Sequence, residues 1–389
     1  MAVAEVQLEP VEPGAERHEV TPLELFFDLV LVFAITQVTG YVSLDPTWTR
    51  LAEGLAILAV LWWAWVSFAW LANTAASDEG PVRVVLLAAM GALLIVSLAL
   101  PHAFDDDALL FGVAYLCVRL LHIGAYLVVA REDPALRAVV MRLASTFLPA
   151  ASLLVLAGLV DGTPRALCWV AALAIDYGGL AVRGVGGWRV EPAHFAERHG
   201  LIVIIALGES IVALGVGAEG LELDAGIIAA ALLGIAVAGA LWWAYFDVVA
   251  LVAERRFRAA DPGEQVRMAR DSYTYLHLPM IAGIVIFALG VKKTLGHVED
   301  PLAEVPAVAL CGGVALYLAA LSAFKRRNVG SWNRPRLIVA AALAAFAAAA
   351  MELAALASLA VVALLACGLI AYEATRYAEA RERIRHARP

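Results

Sequence analysis

Long apolar segments recur along the whole chain and restrict its fold more than any other feature. Each is close to the ~20 residues that an α-helix needs to cross about 30 Å of hydrocarbon. Of the 389 residues, 62% are hydrophobic and only 16% are charged, whereas a soluble protein carries about 25% charged residues. The sequence therefore predicts an all-α polytopic membrane protein. We place the segments at 22–42, 51–73, 82–102, 108–130, 141–160, 165–183, 199–218, 226–252, 272–291, 303–323, 336–356 and 357–374.

The last two segments follow each other almost without a break. Residues 337–372 contain Glu352 as their one charge and no Gly or Pro before Gly368. As one helix this stretch would be about 54 Å long, too long for a single crossing. We therefore expect a hairpin near Glu352–Ser358 and twelve transmembrane helices, with ten or eleven as the alternatives.

The basic residues predict the orientation. With both termini on one side, 23 of the 28 Lys and Arg residues fall on that side and 4 in the opposite loops. Cytoplasmic loops are enriched in Lys and Arg, so both termini are expected in the cytoplasm. Residues 1–20 would then form a cytoplasmic tail, and residues 376–389 a basic amphipathic tail at the inner surface.

Two pairs of similar positions suggest an internal repeat. The segment Leu61–Trp65 (LWWAW) recurs as Leu241–Tyr245 (LWWAY), an offset of 180 residues, and Asp28 and Glu209 are offset by 181. An even number of crossings per half predicts two parallel six-helix repeats, 21–190 and 191–375, related by an axis along the membrane normal. The alternative is a chance similarity in a background rich in Ala, Leu and Val.

Acidic side chains within apolar segments are the strongest indication of a functional site. Glu24 and Asp28 lie in the first segment, four residues apart and so on one helix face, and Glu209 lies in the seventh. An acid at the centre of a membrane helix costs about 2.5–3.5 kcal/mol on insertion scales. Such residues are functional-site hypotheses by default.

The depth of each polar residue follows from its distance to the segment ends, at about 1.5 Å per residue. Near the middle we place Glu209, Asp176 and Arg119. In a layer nearer the cytoplasm we place Asp28, Glu24, His122, Asp247 and His277. We predict a binding or permeation site from these eight residues, with the three mid-depth charges as its core and the acids of the first segment as its entry. The alternatives are a static ion pair between Arg119 and Asp176, and a hydrogen-bonded structural role for His277.

Several motifs resemble the bacterial low-temperature-requirement A family. They are Thr21–Gln37, the Trp62-Trp63 segment that ends in Asn73, and Glu197–Gly200 followed by Leu207–Ser210. The resemblance covers nearly the whole chain. It implies a multi-pass protein of the bacterial cytoplasmic (inner) membrane, whose molecular activity is not established.

The first segment is also similar to a channel motif. Residues Phe27–Thr36 resemble the Phe-Ser-Asp motif in the first helix of endolysosomal and bacterial potassium channels built from six-helix repeats. Phe27 stands where that motif has Ser, and the second half has Gly208-Glu209-Ser210 instead. These departures weaken the argument for a shared conduction mechanism.

The sequence as a whole predicts a transporter or channel for a small solute or ion. Coupling of this transport to protons is one form of the prediction. The alternatives are an intramembrane enzyme for a lipid or prenyl substrate, with His122, His277 and Asp247 as its candidates, and a non-transporting scaffold or sensor. No nucleotide-binding, catalytic-serine or metal-binding spacing is present, so no cofactor or metal is expected. The expected partners are membrane lipids, the solute, cation or proton, and a second copy in a homodimer, but no nucleic acid.

Overall fold

The computed structural model describes residues 20–74, 80–183, 188–379 and 381–382. Most of the predicted N-terminal tail and residues 380 and 383–389 of the predicted C-terminal tail lie outside these ranges. In the described residues the regular secondary structure is helical, apart from an isolated bridge between Pro301 and Ala354. The helices are α1 (Pro22–Leu44), α2 (Trp48–Ala72), α3 (Gly80–Ala99), α4 (Ala108–Val129), α5 (Pro134–Ala157), α6 (Gly162–Arg183), α7 (Pro192–Ala218), α8 (Ala225–Phe246), α9 (Val249–Ala259), α10 (Pro262–Met268), α11 (Leu276–Leu295), α12 (Glu304–Val329), α13 (Arg334–Ala350) and α14 (Ala355–Arg376).

Eleven helical units among the described residues are long and apolar enough to cross a membrane. Two of them are composite: Ala225–Ala259 joins α8 to α9, and Pro262–Leu295 joins α10 to α11 through a π-helical segment at Ala269–Tyr275. The predicted hairpin is present, between the end of α13 and the start of α14. With 17 residues, α13 is about 26 Å long, at the lower limit for a crossing. The predicted fold class, an all-α polytopic membrane protein, is confirmed.

Local signals set the first turn of α1. The Thr21 hydroxyl accepts a hydrogen bond from the Glu24 amide (3.3 Å), and the Glu24 carboxylate accepts one from the Thr21 amide (2.8 Å). This reciprocal capping box, with Pro22 at the first helical position, starts the helix. The motif Thr-Pro-Leu-Glu therefore places Glu24 in the first turn of α1.

Side chains also join the end of α2 to the start of α7. The side-chain nitrogen of Asn73 donates a hydrogen bond to the backbone carbonyl oxygen of Glu191 (3.0 Å). The side-chain oxygen of Asn73 accepts one from the backbone N–H of Glu191 (2.7 Å). Glu191 caps α7, which Pro192 begins. The first residues of α7 are thus held against the core helix α2.

The two halves of the chain meet where α1 and α2 pack against α7 and α11. Contacts between α1 and α7 join residue 24 to 194, 28 to 198 and 36 to 209. Both numbers rise together, so the two helices run parallel. Helix α2 lies in the middle of the bundle with Trp62 and Trp63 fully buried, whereas Trp242 and Trp243 on α8 are 45% and 39% exposed. The two similar Trp segments therefore occupy different environments.

Candidate functional site

Four charged or titratable side chains are buried together where α1 contacts α7, and we call them the α1–α7 cluster: Glu24, Asp28, His194 and Arg198. Arg198 Nη2 lies 2.6 Å from Asp28 Oδ1, and Arg198 Nη1 lies 3.5 Å from Glu24 Oε1. His194 Nε2 lies 3.1 Å from Glu24 Oε2. With His194 protonated the cluster is electrically balanced, and with His194 neutral it carries one net negative charge.

Helix geometry explains why these four side chains meet. Each helix supplies two residues four positions apart, which share a face, and the parallel packing brings the two faces together. Helix α2 completes the site: Trp65 Nε1 donates to Asp28 Oδ1 (2.7 Å), and Asn73 Nδ2 lies 3.2 Å from His194 Nδ1. Asp28 is therefore an acid that already has a basic partner.

Sequence reasoning missed His194 and assigned Arg198 to a cytoplasmic loop. The structure corrects this, because α7 begins at Pro192, before the segment predicted from residue 199, and both side chains are buried. The hydropathy pattern excluded the first turns of α7, before residue 199, because they are polar. A usable signal was present, since the spacing of His194 and Arg198 equals that of Glu24 and Asp28.

A second group of charges lies between α2, α4 and α6. Arg119 Nη2 lies 3.4 Å from Asp176 Oδ1, so the predicted pair is present. The same guanidinium donates to Ser67 Oγ (2.8 Å) and lies 3.7 Å from the centre of the Phe147 ring. His122, one turn along α4, places Nε2 3.0 Å from the Ser67 carbonyl oxygen. Arg119 thus contacts side chains from α2, α5 and α6.

Glu209 does not belong to this second group, although it was predicted to join Arg119 and Asp176. Thr36 on α1 donates a hydrogen bond to Glu209 Oε2 at 2.6 Å. Two side chains at the same depth in the membrane need not meet. Which helix faces contact each other depends on which helices are neighbours and on how each helix is rotated about its axis. Glu209 therefore forms a third polar position, at the α1–α7 contact.

Asp28 and Glu209 also lie at different levels of the membrane. Asp28 is level with Arg198, and Glu209 follows Arg198 by 11 residues, which is about 16 Å along α7. The offset of 181 residues therefore does not make the two acids equivalent in depth. Farther along α1, Lys292 Nζ from α11 donates to Ser43 Oγ (2.9 Å).

His277 lies apart from the α1–α7 cluster, in an aromatic cluster beside the π-helical segment. Its Nε2 lies 2.9 Å from the Tyr245 hydroxyl and its Nδ1 lies 2.9 Å from the Ser272 carbonyl oxygen. The ring stacks on Tyr273, with centroids 5.3 Å apart. Both ring nitrogens are thus engaged within the protein, which agrees with the alternative of a structural residue.

Asp247 lies at the end of α8 rather than in the bundle interior. Its Oδ2 accepts a hydrogen bond from Arg381 Nε at 2.5 Å. This hydrogen bond, together with the charge of Asp247, raises the pKa of Arg381 above its usual value. Asp247 and His277 are therefore not joined to the buried acids of α1 and α7.

The family model for the bacterial low temperature requirement A protein (LtrA) matches residues 19–371. The chain belongs to the LtrA family. A further relative is an uncharacterized protein of Rhizobium meliloti (strain 1021), 31% identical over 318 residues, which cover 78% of this chain and 76% of the relative. The match to the LtrA family includes α1, α4, α6 and α7, the helices that carry the buried charges described above.

For this LtrA-family chain, the site chemistry is that of carboxylates, hydroxyls and basic side chains. No group of three or more His, Cys, Asp or Glu side chains that could hold a metal ion occurs among the residues described. The arrangement can bind a cation or transfer a proton at a carboxylate. Of the three buried acidic sites, those of Asp28 and Asp176 contain an arginine, and that of Glu209 contains a threonine.

Proposed function

We propose that this LtrA-family protein transports a small cation or protons across the membrane, with Glu209 as the binding group. The observation that carries the proposal is the setting of Glu209, which is 2% exposed within a membrane-spanning helix. Within the described ranges, no Lys, Arg or His nitrogen lies within 4.0 Å of its carboxylate. Lys292 is near enough to attract it, but its ammonium donates to Ser43.

A buried carboxyl group without an ion-pair partner must be neutralised by a proton or by a bound cation. Asp176 instead pairs with Arg119, and Asp28 pairs with Arg198. Glu24 lies beside both Arg198 and His194. These three acids therefore have basic partners and support the structure around the site. Glu209 is the acid that remains available for a transported cation. The hydroxyl of Thr36 would hold its carboxylate in place.

Polar side chains along α1 support a path across the bundle. Glu24 with His194 lies at one end, Thr36 with Glu209 lies farther along, and Ser43 with Lys292 lies at the other end. From residue 24 to residue 43 the helix rises about 28 Å, close to the thickness of the hydrocarbon region. Transport along the α1–α7 contact would therefore meet polar groups on both sides of Glu209.

The proposal includes a parallel repeat of the two halves, 21–190 and 191–375. In the first half α1 packs on α2 and α3, and α3 to α6 pack in sequence. In the second half α7 packs on α8 and α11, and α11 to α14 pack in sequence. The parallel direction of α1 and α7 also supports a parallel repeat. A site where two repeats meet is common among transporters.

The orientation proposed is that of an inner-membrane protein with both termini in the cytoplasm. Its support is the excess of Lys and Arg in the loops on that side. Membrane lipids would contact the outer helix faces, which expose large apolar side chains such as Leu29, Leu98, Leu232 and Leu364.

Flux through purified protein in proteoliposomes tests the transport proposal. Proton, Na⁺ and K⁺ fluxes would be followed with ion-sensitive dyes for the wild type, Glu209→Gln and Glu219→Gln. Glutamine keeps the shape of Glu209 but can neither bind a cation by charge nor carry the proton, so we expect flux to fall at least about tenfold. Glu219 is exposed just after α7 ends, and the same substitution there should leave flux unchanged.

Two results would reject the proposal. The first is full flux from Glu209→Gln, which would make the acid structural. The second is a wild-type protein without flux of any of the three ions, which would favour the enzyme or scaffold alternatives. The enzyme alternative has weaker support, because its candidates His122, His277 and Asp247 lie in three different places and each is bonded to protein groups.

A further inference from the structure

A cleft of about 460 Å³ opens at the end of the bundle where α1 and α7 begin, far from Glu209. It lies between the end of α8, the start of α9, the end of α12, the start of α13 and the end of α14. Its volume is in the range of small-molecule sites. The charged side chains that line it are Asp247, Lys325, Arg334, Arg336, Glu373 and Arg381.

The charges of the cleft do not cancel. Four of these side chains are cationic and two are anionic. Arg336 pairs with Glu373 (2.7 Å) and Arg381 pairs with Asp247 (2.5 Å). Within the described residues this leaves Lys325 and Arg334 without an ion pair, a net charge of +2 in the cleft. The cleft therefore favours an anionic ligand.

Arg336 supplies a second, independent indication. It is 5% exposed and binds Glu373 through Nε and Nη2, while its buried Nη1 has no hydrogen-bond partner. A buried donor without a partner is uncommon and costly. Arg336 lines the cleft, and phosphate suits guanidinium donors especially well.

The remaining lining is suited to an amphiphile. The first residues of α13 line the cleft, and a helix N-terminus attracts anions. Trp243, Trp332 and Tyr377 contribute exposed aromatic rings, which favour the headgroup level of a membrane. Val249, Val252 and Val329 provide an apolar wall.

We propose that this cleft binds an anionic phosphate-bearing group, such as a phospholipid headgroup or a soluble phosphate ester. The phosphate lies against Lys325, Arg334 and Arg336, and the apolar part of the ligand lies against the valines. This proposal does not depend on transport through Glu209.

Binding to the purified full-length protein in detergent tests this proposal. The probes are short-chain phosphatidylglycerol, glycerol 3-phosphate and, as a ligand without net charge, short-chain phosphatidylcholine, with affinities measured by native mass spectrometry or thermal shift. The double variant Lys325→Gln/Arg334→Gln removes the two unpaired charges and leaves both ion pairs intact. The matched control, Arg131→Gln/Arg326→Gln, removes two exposed charges outside the cleft.

We expect the wild type and the control to bind phosphatidylglycerol or glycerol 3-phosphate at least about tenfold more tightly than the Lys325→Gln/Arg334→Gln variant. Tight binding of phosphatidylglycerol alone identifies a lipid headgroup, and equal competition by glycerol 3-phosphate identifies a soluble phosphate ester. Equal affinity of the double variant and the control would overturn the proposal, as would wild-type binding of phosphatidylcholine as tight as that of phosphatidylglycerol. Absence of binding of both anionic probes to the wild type would also overturn it.

Discussion

At the scale of single residues, the buried arginines Arg119 and Arg198 pair with acids on other helices. Arg119 on α4 faces Asp176 on α6, and Arg198 on α7 faces Asp28 on α1. In a medium of low dielectric constant, removal of one partner leaves the other charge uncompensated. Each arginine therefore has a specific acid whose neutralisation should compensate for its loss.

Arg119→Ala should lower the free energy of unfolding by about 3–5 kcal/mol, because the Asp176 carboxylate loses its partner. Adding Asp176→Asn should recover part of this loss, whereas adding Glu209→Gln should recover none. Thermal unfolding of the purified variants in detergent measures the three effects. Recovery by Glu209→Gln equal to that by Asp176→Asn would contradict the separation of the two sites.

Arg198→Ala should be similarly destabilising, by about 3–5 kcal/mol, because Glu24 and Asp28 then remain as buried acids without the guanidinium. The double variant Arg198→Ala/Asp28→Asn should unfold at a higher temperature than Arg198→Ala alone. Arg189→Ala, at an exposed position just before α7, serves as the control and should be near neutral. If neutralising Asp28 brings no recovery, the charges of the α1–α7 cluster are not the cause of the destabilisation.

At the scale of helices, α11 and α12 approach each other through glycines. A Cβ atom on Gly313 would lie 2.4 Å from the backbone nitrogen of Phe287, and one on Gly290 would lie 2.5 Å from the Leu310 Cα atom. Small residues at such contacts let two backbones pack closely in a membrane, where apolar side chains gain little by leaving lipid. Helix α11 also contacts α1 and α7.

Gly313→Ala should lower the free energy of unfolding by about 1–3 kcal/mol, because the added methyl group meets backbone atoms that cannot rotate away. Gly312→Ala is the matched control, since its Cβ atom would meet only Val308 at an ordinary 3.6 Å. Parallel thermal denaturation of the two variants compares them directly. Equal stability of Gly312→Ala and Gly313→Ala would show that α11 and α12 do not pack this closely.

At the scale of the whole molecule, the prediction of twelve crossings places both termini on the same side of the membrane. Reporter fusions after residues 80, 135, 190, 260 and 330 should all be cytoplasmic, and fusions after residues 105, 162 and 221 should be external. Alkaline phosphatase and green fluorescent protein fusions would report the two sides. An external signal after residue 260 or 330 would reject the twelve-crossing topology and with it the parallel repeat.

The sequence by itself determined the all-helical class of this protein and the approximate positions of its apolar helices. Hydropathy and the excessive length of 337–372 are local properties, and each predicted an element that the structure contains. Depth also limited the acids that could pair with Arg119 to Asp176 and Glu209, but it did not decide which of the two does so.

Tertiary structure decided which helix faces meet. Sequence periodicity gives the depth of a residue along its own helix, but neither the neighbouring helix nor its rotation. For that reason the threonine partner of Glu209, the basic partners of Glu24 and Asp28, and the cleft lined by Arg336 became visible only in the folded bundle. Depth is a one-dimensional property of the sequence, whereas pairing between helices depends on how the whole chain packs.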